Sequence, residues 1–386
     1  MVKRTHTHVG TEGAVDFVRR FALRRRPGTK LFLVAGIHAY QESGAAGLIG
    51  TALEGCEVAR FSAFGANPKL EDLHRAIEAF ACSGADRLLA VGGGSAIDMA
   101  KLVNYFASTG ITPEDFCLRG KRSPSGAFFE MLAIPTTAGS GSEATRFAVL
   151  YLNQAKHSIE DAGLRPSHIL LVSEFTASLM AYQVACCGFD ALSHAIESYW
   201  ALGATVRSRA DSLRAMRLAL DWLEPNVHRP TAASREAMMQ AAHLAGRAIN
   251  VAKTTVAHAL SYSLTAHDQV PHGHAVSMFL PACMRWNVTH LMQHGSEGQR
   301  RTMKRLMATL GVTSAEAAAH ALRQLAVRVG LHKSTRLFTQ ADRESVVSRL
   351  LADVNAPRLG NNPVRLASRD LRALVEGVIG GQEAWS

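Results

Sequence analysis

Three segments in the second half of the chain contain residues that could bind a metal together, namely one carboxylate and several imidazoles. Asp190 and His194 are four residues apart, a spacing that places both side chains on one face of a helix. His258 follows in a separate segment, and His272 and His274 follow in a third. One carboxylate with three imidazoles, one from each segment, is a coordination set suited to iron(II) or zinc(II). Because the chain has 17 histidines, the alternative is that each of these is an ordinary core or surface residue.

A glycine run in the first half has the composition of a phosphate-binding turn. Gly92, Gly93 and Gly94 stand between an apolar β-type run and a helical stretch, and Ser95 and Asp98 follow. Such a turn lets backbone N–H groups and the helix dipole approach a pyrophosphate. The run is not GxGxxG, the common dinucleotide fingerprint, and a simple tight turn is the alternative. Its place at the carboxyl end of a predicted parallel strand favours ligand binding.

A second loop, residues 134–143, reads IPTTAGSGSE. It follows another β-type run and consists largely of glycine and small hydroxyl residues. Small side chains permit close contact with a ribose or a nicotinamide, whereas an ordinary polar loop is the alternative. Ten residues of this composition, together with a second glycine-rich loop, favour cofactor binding over an ordinary loop.

The elements that must position these residues differ between the two halves. In the first half, β-type runs alternate with glycine turns and helical stretches, a pattern that predicts a parallel sheet covered by helices. The runs are Lys30–Ala35, Arg87–Val91, Met131–Ile134, Ala148–Leu152 and Ile169–Val172. The second half has long helical patterns, among them Thr205–Leu223, Ala232–Val251 and Glu297–Leu310. We therefore predict an α/β domain over residues 1–178 and an all-helical domain over residues 179–386.

Composition limits the class of protein. The 386 residues suffice for two domains, and 47% of them are hydrophobic, which excludes a disordered chain. The sequence has neither an apolar stretch of membrane-spanning length nor an apolar region behind its basic start, so we expect a cytoplasmic protein with no membrane partner. The six cysteines lack zinc-knuckle or disulfide-framework spacing.

The net charge of +10 raises the question of nucleic-acid binding. The densest basic run is Arg24–Arg26, and no aromatic ladder or reading motif accompanies it. The remaining excess is scattered along the chain. A surface that attracts small anionic molecules is the simpler interpretation, so we expect no nucleic-acid partner.

Four motifs in fixed order, GGGSAIDMAK, IPTTAGSGSE, DALSHAIE and PHGHA, resemble those of the iron-containing alcohol dehydrogenases. The resemblance runs from about Lys30 to Leu374 and includes Asn361-Asn362-Pro363. It implies a Rossmann-like domain, a helical domain, a single metal and the cofactor in the cleft between them, and a homodimer. The family's metal ligands fall on Asp190, His194, His258 and His272, whereas His274 matches none of them.

The resemblance also assigns residues to a nicotinamide cofactor. Those matching the phosphate-binding loop are Gly93, Gly94, Ser95 and Asp98. Those matching the nicotinamide-side loop are Thr136, Thr137, Ser140 and Ser142, with Phe147 behind them. Lys156 matches a lysine on the ribose side, and Asn67 lies in a matching Asn-Pro loop.

Two positions depart from the family pattern. Many NAD-using members have an aspartate after the first strand of the resemblance, where this chain has Gly36, with His38 nearby. Without that carboxylate nothing repels a 2′-phosphate, so NADPH is the expected cofactor, with NADH as the alternative. Many members also have a histidine four residues after the third ligand, where this chain has Tyr262. Tyr262, water or the nicotinamide ribose is then left to deliver the proton.

The segment AINVAKTT before His258 is similar to the phosphonoacetaldehyde reductase branch of the family. This similarity implies reduction of phosphonoacetaldehyde to 2-hydroxyethylphosphonate on iron(II), or on zinc(II). Lys253 with Thr254 and Thr255 would hold the dianionic phosphonate, and Arg146 is a second candidate. A solvated surface lysine is the alternative for Lys253, and a general alcohol or polyol dehydrogenase is the alternative for the whole chain.

Overall fold

The computed structural model describes residues 5–23, 29–122, 127–152, 155–334 and 342–380. The chain divides into two compact units, Met1–Leu179 and Met180–Ser386. The basic run Arg24–Arg26 lies outside the described residues. Across the described ranges, no helix has both the length and the apolar character that crossing a bilayer requires.

The first unit is built on a six-stranded parallel sheet. Its strands and those of a separate hairpin are β1 (His6–Val9), β2 (Lys30–Ala35), β3 (Glu57–Phe61), β4 (Arg87–Gly92), β5 (Glu130–Pro135), β6 (Phe147–Leu152), β7 (Ala155–Glu160) and β8 (His168–Leu171). The order across the sheet is β1-β8-β5-β4-β2-β3. All five pairings in it are parallel, as predicted from the alternation of strands, glycine turns and helices.

Helices cover both faces of this sheet. They are α1 (Ala14–Leu23), α2 (Ile37–Glu42), α3 (Ala45–Ala52), α4 (Leu70–Ser83), α5 (Gly94–Thr109) and α6 (Pro113–Arg119). Successive residues of β4 enter opposite cores, with Leu88 packed in the core that includes residues of α4 and α5, and Leu89 in the core that includes residues of α1 and α3. Burial on both faces explains why the central strands are continuous apolar runs.

The prediction for Ala148–Leu152 was wrong in one respect. This run is a strand, but β6 pairs antiparallel with β7 in a two-stranded hairpin outside the parallel sheet. The sequence pattern also missed β1, β3 and β7. β1 and β3 are the two edge strands. β1 is largely polar and exposed, and in β3 charged residues interrupt the apolar ones and only Phe61 is buried, so both lack the apolar run by which the central strands were recognised.

The described part of the second unit contains helices and no strand. The helices are α7 (Ala181–Trp200), α8 (Val206–His228), α9 (Ala232–Ala252), α10 (Val256–His267), α11 (His272–His294), α12 (Glu297–Thr309), α13 (Ala315–Arg328), α14 (Arg343–Ala352), α15 (Ala356–Gly360) and α16 (Ser368–Ile379). α7 packs against α8, α9 and α11 and is buried nearly all round over its last three turns. Any polar side chain on that part of α7 is therefore enclosed by protein.

Candidate active site

The four predicted metal ligands meet at one carboxylate oxygen in the second unit. Asp190 and His194 lie one turn apart on α7, His258 lies in the first turn of α10, and His272 begins α11. The Oδ1 atom of Asp190 is 3.6 Å from Nε2 of His194, 3.5 Å from Nε2 of His258 and 3.9 Å from Nε2 of His272. Three helices thus bring together the residues that the sequence separates.

The cluster fits a divalent cation. One ligand atom each from Asp190, His194 and His258 lie within 4.8 Å of one another, and all three residues are buried. Asp190 Oδ1 and His258 Nε2 make no hydrogen bond within the described part of the chain. Burying a polar atom without a hydrogen bond costs free energy, and a cation between these two atoms would provide a partner for each. His272 stands at the edge, with 29% of its side chain exposed.

Electrostatics at the cluster favour an ionised carboxylate. Burial by itself would raise the pKa of Asp190, but the imidazoles of His194, His258 and His272 lower it below its ordinary value. The carboxylate is therefore charged at neutral pH and available as a ligand. Metal binding at this site then requires the imidazole nitrogens to give up any proton they carry.

Glu197 is a candidate functional residue that the sequence reasoning missed. It is fully buried on α7, and its Oε2 is hydrogen-bonded to Nδ1 of His258. Its Oε1 accepts from the hydroxyl of Thr255 at 2.6 Å and from the N–H of Ala257 at 2.9 Å. Burial would lower the pKa of His258, yet the carboxylates of Glu197 and Asp190 together raise it to about 10. A carboxylate on one ring nitrogen fixes the tautomer and leaves the other nitrogen free to bind metal.

A signal for Glu197 was present in the sequence. It follows Asp190 by seven residues and His194 by three, so all three share one helix face. A third polar group on that face of an otherwise apolar helix is the pattern of a ligand with its supporting carboxylate.

A glycine allows α11 to bring His272 to this cluster. A Cβ atom on Gly273 would lie 1.9 Å from the carbonyl oxygen of Cys186 and 3.0 Å from the Cβ atom of Asp190. Only glycine permits this approach of α11 to α7. His274, which matched no family ligand, is buried and lies 2.9 Å from the hydroxyl of Tyr182, and burial lowers its pKa to about 4.

Tyr262 lies beside the cluster. Its ring stacks on that of His272 with centroids 5.5 Å apart, and it lies 6.5 Å from the ring of His258. His267, one turn beyond Tyr262 on α10, lies 3.3 Å from Asp353 instead. The position that differs from the family pattern therefore places a phenol at the site.

The predicted substrate residues precede α10 directly. Lys253 caps the end of α9, and Thr254 and Thr255 are buried between it and α10. The ammonium nitrogen of Lys253 is itself buried. Arg146, the second candidate, is in the first unit and donates to Glu160 at 2.9 Å.

The predicted cofactor residues follow three adjacent strands of the first unit. Gly36 follows β2, Gly93 follows β4 and Thr136 follows β5, and β4 lies between the other two. A Cβ atom on Gly94 would lie 2.8 Å from Oγ of Ser140, so the glycine turn and the loop 134–143 are in contact. Carboxyl ends of neighbouring parallel strands are where dinucleotides bind in such sheets.

Further contacts bind these loops together. The N–H of Asn67 donates to Oγ of Ser95 at 3.2 Å. Asp98, matched to the cofactor loop, is engaged internally, because it accepts from the hydroxyl of Ser142 and from the N–H of Val149. Burial raises its pKa, while Lys101 and these hydrogen bonds lower it.

Lys101 was also missed by the sequence reasoning. It is fully buried, and its ammonium donates to the carbonyl of Ser142 at 2.6 Å, to Oγ of Ser142 at 3.0 Å, to Oγ1 of Thr145 at 2.8 Å and to the carbonyl of Phe147 at 2.9 Å. Burial lowers its pKa to about 8, although Asp98 and Glu143 raise it. Lys101 therefore anchors the second loop to α5, and the backbone of Phe147 with it.

The remaining predicted residues border these loops. Thr137 lies against the glycine turn, because a Cβ atom on Gly93 would come within 3.2 Å of its methyl group. Lys156 is on β7, opposite Tyr151 in the hairpin. The structure thus places all the predicted cofactor residues in the first unit and all four predicted ligands in the second.

Two family models cover most of the chain. That of the iron-containing alcohol dehydrogenases matches residues 8–173, and that of the C-terminal region of this family matches residues 184–377.

Individual relatives agree with these models. A phosphonoacetaldehyde reductase from Streptomyces viridochromogenes is 34% identical over 308 residues, which is 75% of each chain. An NAD-dependent methanol dehydrogenase from Bacillus methanolicus is 31% identical over 61% of this chain and 62% of its own.

Among solved structures, a sulfoacetaldehyde reductase from Bifidobacterium kashiwanohense in complex with NAD+ is similar over 98% of this chain and 97% of its own. Its TM-score is 0.84 at 27% identity. The chain therefore belongs to the iron-containing alcohol dehydrogenase family and is an oxidoreductase that interconverts aldehydes and alcohols.

Proposed function

We propose that this enzyme reduces a small anionic aldehyde, phosphonoacetaldehyde, to 2-hydroxyethylphosphonate. The observation that carries the proposal is the buried ammonium of Lys253, which lies five residues before the metal ligand candidate His258. A buried ammonium this close in the chain to a metal-ligand candidate favours an anionic group on the substrate. The relatives that act on phosphonoacetaldehyde and sulfoacetaldehyde support this substrate class.

Different side chains have different roles in the proposed reduction. Asp190, His194, His258 and His272 would hold the metal, for which we propose iron(II), with zinc(II) also suited to these donors. Bound metal supplies a Lewis acid for the aldehyde oxygen, and reduced nicotinamide supplies the hydride. Glu197 orients His258 through Nδ1. Tyr262, beside His272, is the group that we propose to donate the proton to the product alkoxide.

Replacing Lys253 tests the proposed substrate. In Lys253→Ala, kcat/KM for phosphonoacetaldehyde should fall roughly ten- to a hundredfold, because a charge-assisted contact contributes about 1.5–3 kcal/mol. Propionaldehyde, which has no anionic group, should react at a nearly unchanged rate. Steady-state rates with both aldehydes give the comparison.

A second variant separates charge from packing. Lys253→Met keeps the length of the side chain without its charge, and it should lose activity with phosphonoacetaldehyde as Lys253→Ala does. Equal losses on both aldehydes in both variants would make Lys253 structural. The wild-type enzyme would then be better described as a general alcohol dehydrogenase, in line with its methanol dehydrogenase relative.

We further propose that the enzyme prefers NADPH. Gly36 follows β2 and caps the N-terminus of α2, and His38 in the first turn of α2 is largely exposed. No carboxylate at the position of Gly36 repels a 2′-phosphate.

Introducing a carboxylate at this position should reverse the preference. In Gly36→Asp, the ratio of kcat/KM for NADPH to that for NADH should fall by about tenfold, because an aspartate accepts from the ribose hydroxyls and repels the phosphate. The position tolerates a side chain, since the nearest atom to an added Cβ is 4.0 Å away and aspartate is a favourable helix cap. Gly36→Asn is the neutral control and should keep the wild-type ratio. An unchanged ratio in Gly36→Asp would contradict the proposal.

A further inference from the structure

The segment Asn361-Asn362-Pro363 has no role in the site as described so far. Asn361 follows α15, and its side-chain amide reaches the loop between α9 and α10. Its Nδ2 donates to the carbonyl of Ala252 at 2.8 Å and to the carbonyl of Thr254 at 3.0 Å. These two carbonyls flank Lys253 on either side.

Asn361 is itself held in place by the loop after α7. Its Oδ1 accepts from the N–H of Gly203 at 3.1 Å, and its backbone carbonyl accepts from the N–H of Leu202 at 3.0 Å. The two N–H groups of its amide and the amide oxygen are thus all used. One side chain joins two loops that are distant in the sequence.

Lys253 adopts a backbone conformation that other residues rarely occupy. Its φ is 63° and its ψ is 179°, a region that is used almost only by glycine. A non-glycine residue remains there only when its surroundings hold it, and the bonds from Asn361 to both flanking carbonyls do so. Glycine would adopt the same backbone without strain, so the presence of lysine indicates that its side chain is used.

We propose that Asn361 is a positioning residue for substrate selection, which holds Lys253 where its buried ammonium receives the acidic group of the aldehyde. This inference rests on the function proposed above for Lys253. The same loop continues through Thr255, which hydrogen-bonds to Glu197, the partner of His258. Asn361 therefore fixes the anion-binding residue relative to the metal ligands.

The test compares Asn361→Ala with Lys253→Ala and with the double variant. In Asn361→Ala, the selectivity for phosphonoacetaldehyde over propionaldehyde should fall about tenfold, mainly through KM for the anionic aldehyde. Metal content and kcat with propionaldehyde should stay near wild-type values. Adding Asn361→Ala to Lys253→Ala should reduce selectivity no further, since both changes remove the same contact.

Two additional measurements exclude a merely structural role. Backbone hydrogen exchange at residues 253–255 should accelerate in Asn361→Ala, because the bonds that hold this loop are gone. Asn362→Ala is the matched control, since Asn362 bonds to Asn287 and not to the loop. It should lower the midpoint of thermal unfolding and keep the selectivity. Asn361→Ser, which cannot reach both carbonyls, replaces Asn361→Ala if that variant does not fold.

The outcomes separate the two proposals. Selectivity kept in Asn361→Ala and lost in Lys253→Ala would overturn the role of Asn361 and leave the proposed substrate intact. Equal losses on both aldehydes in Asn361→Ala would also overturn it. Selectivity kept in Lys253→Ala would overturn the proposed substrate, and the inference about Asn361 with it.

Discussion

His194→Ala should lose bound metal and turnover together. The imidazole of His194 and the carboxylate of Asp190 occupy one face of α7, and removing the imidazole leaves the metal one ligand short. A Lewis-acid metal contributes several kcal/mol to such a reaction, so turnover should fall roughly a thousandfold or more. Metal per chain, measured by elemental analysis after reconstitution with iron(II) or zinc(II), should fall in parallel. His272→Ala should behave in the same way.

The fold should survive this change, because alanine removes a buried imidazole without adding a polar group. The midpoint of thermal unfolding of the metal-free protein checks this expectation. His290→Ala is the control: His290 lies outside the cluster, hydrogen-bonded to the carbonyl of Trp286 on α11. It should keep both metal and activity. Full metal content and activity in His194→Ala after reconstitution would show that the ligand assignment is wrong.

Glu197→Gln should weaken metal binding by about ten- to a hundredfold, the usual effect of removing a carboxylate behind a ligating histidine. The glutamine oxygen can still accept from Thr255 and Ala257, which leaves its NH2 group facing Nδ1 of His258. The histidine must then accept there and carry its proton on Nε2, the atom that faces Asp190. A competition titration against a chelator measures the dissociation constant of the metal directly.

The matched control for Glu197→Gln is Glu224→Gln. Glu224 pairs with Arg328 at 2.7 Å on the surface of the second unit, and its loss should leave metal affinity unchanged. An unchanged metal dissociation constant in Glu197→Gln would mean that the hydrogen bond to His258 serves packing only. A large drop in thermal stability without loss of metal affinity would lead to the same conclusion.

Much of this structure could be predicted from local patterns in the sequence. The alternation of apolar runs, glycine turns and helical stretches predicted the α/β first half, because strands and helices have periods that are visible over a few residues. The four-residue spacing of Asp190 and His194 likewise predicted a shared helix face, which α7 provides. Grouping His258 and His272 with them was a hypothesis from residue types, because no local period links separate helices, and the resemblance to a family selected His272 over His274.

The pairing of the edge strands and the partners of the buried polar groups depend on tertiary structure. β1 and β3 are edge strands with mostly exposed or partly buried residues, whose pairing depends on a neighbour rather than on their own pattern. The helical spacing of Glu197 does not identify its partner, and Lys101 and Asn361 look like ordinary polar residues in the sequence. Their roles come from partners far along the chain: His258, the loop of Ser142 and the carbonyls beside Lys253. Residue types and short spacings determine elements, whereas the contacts of a buried polar group are fixed only when the apolar faces of those elements pack.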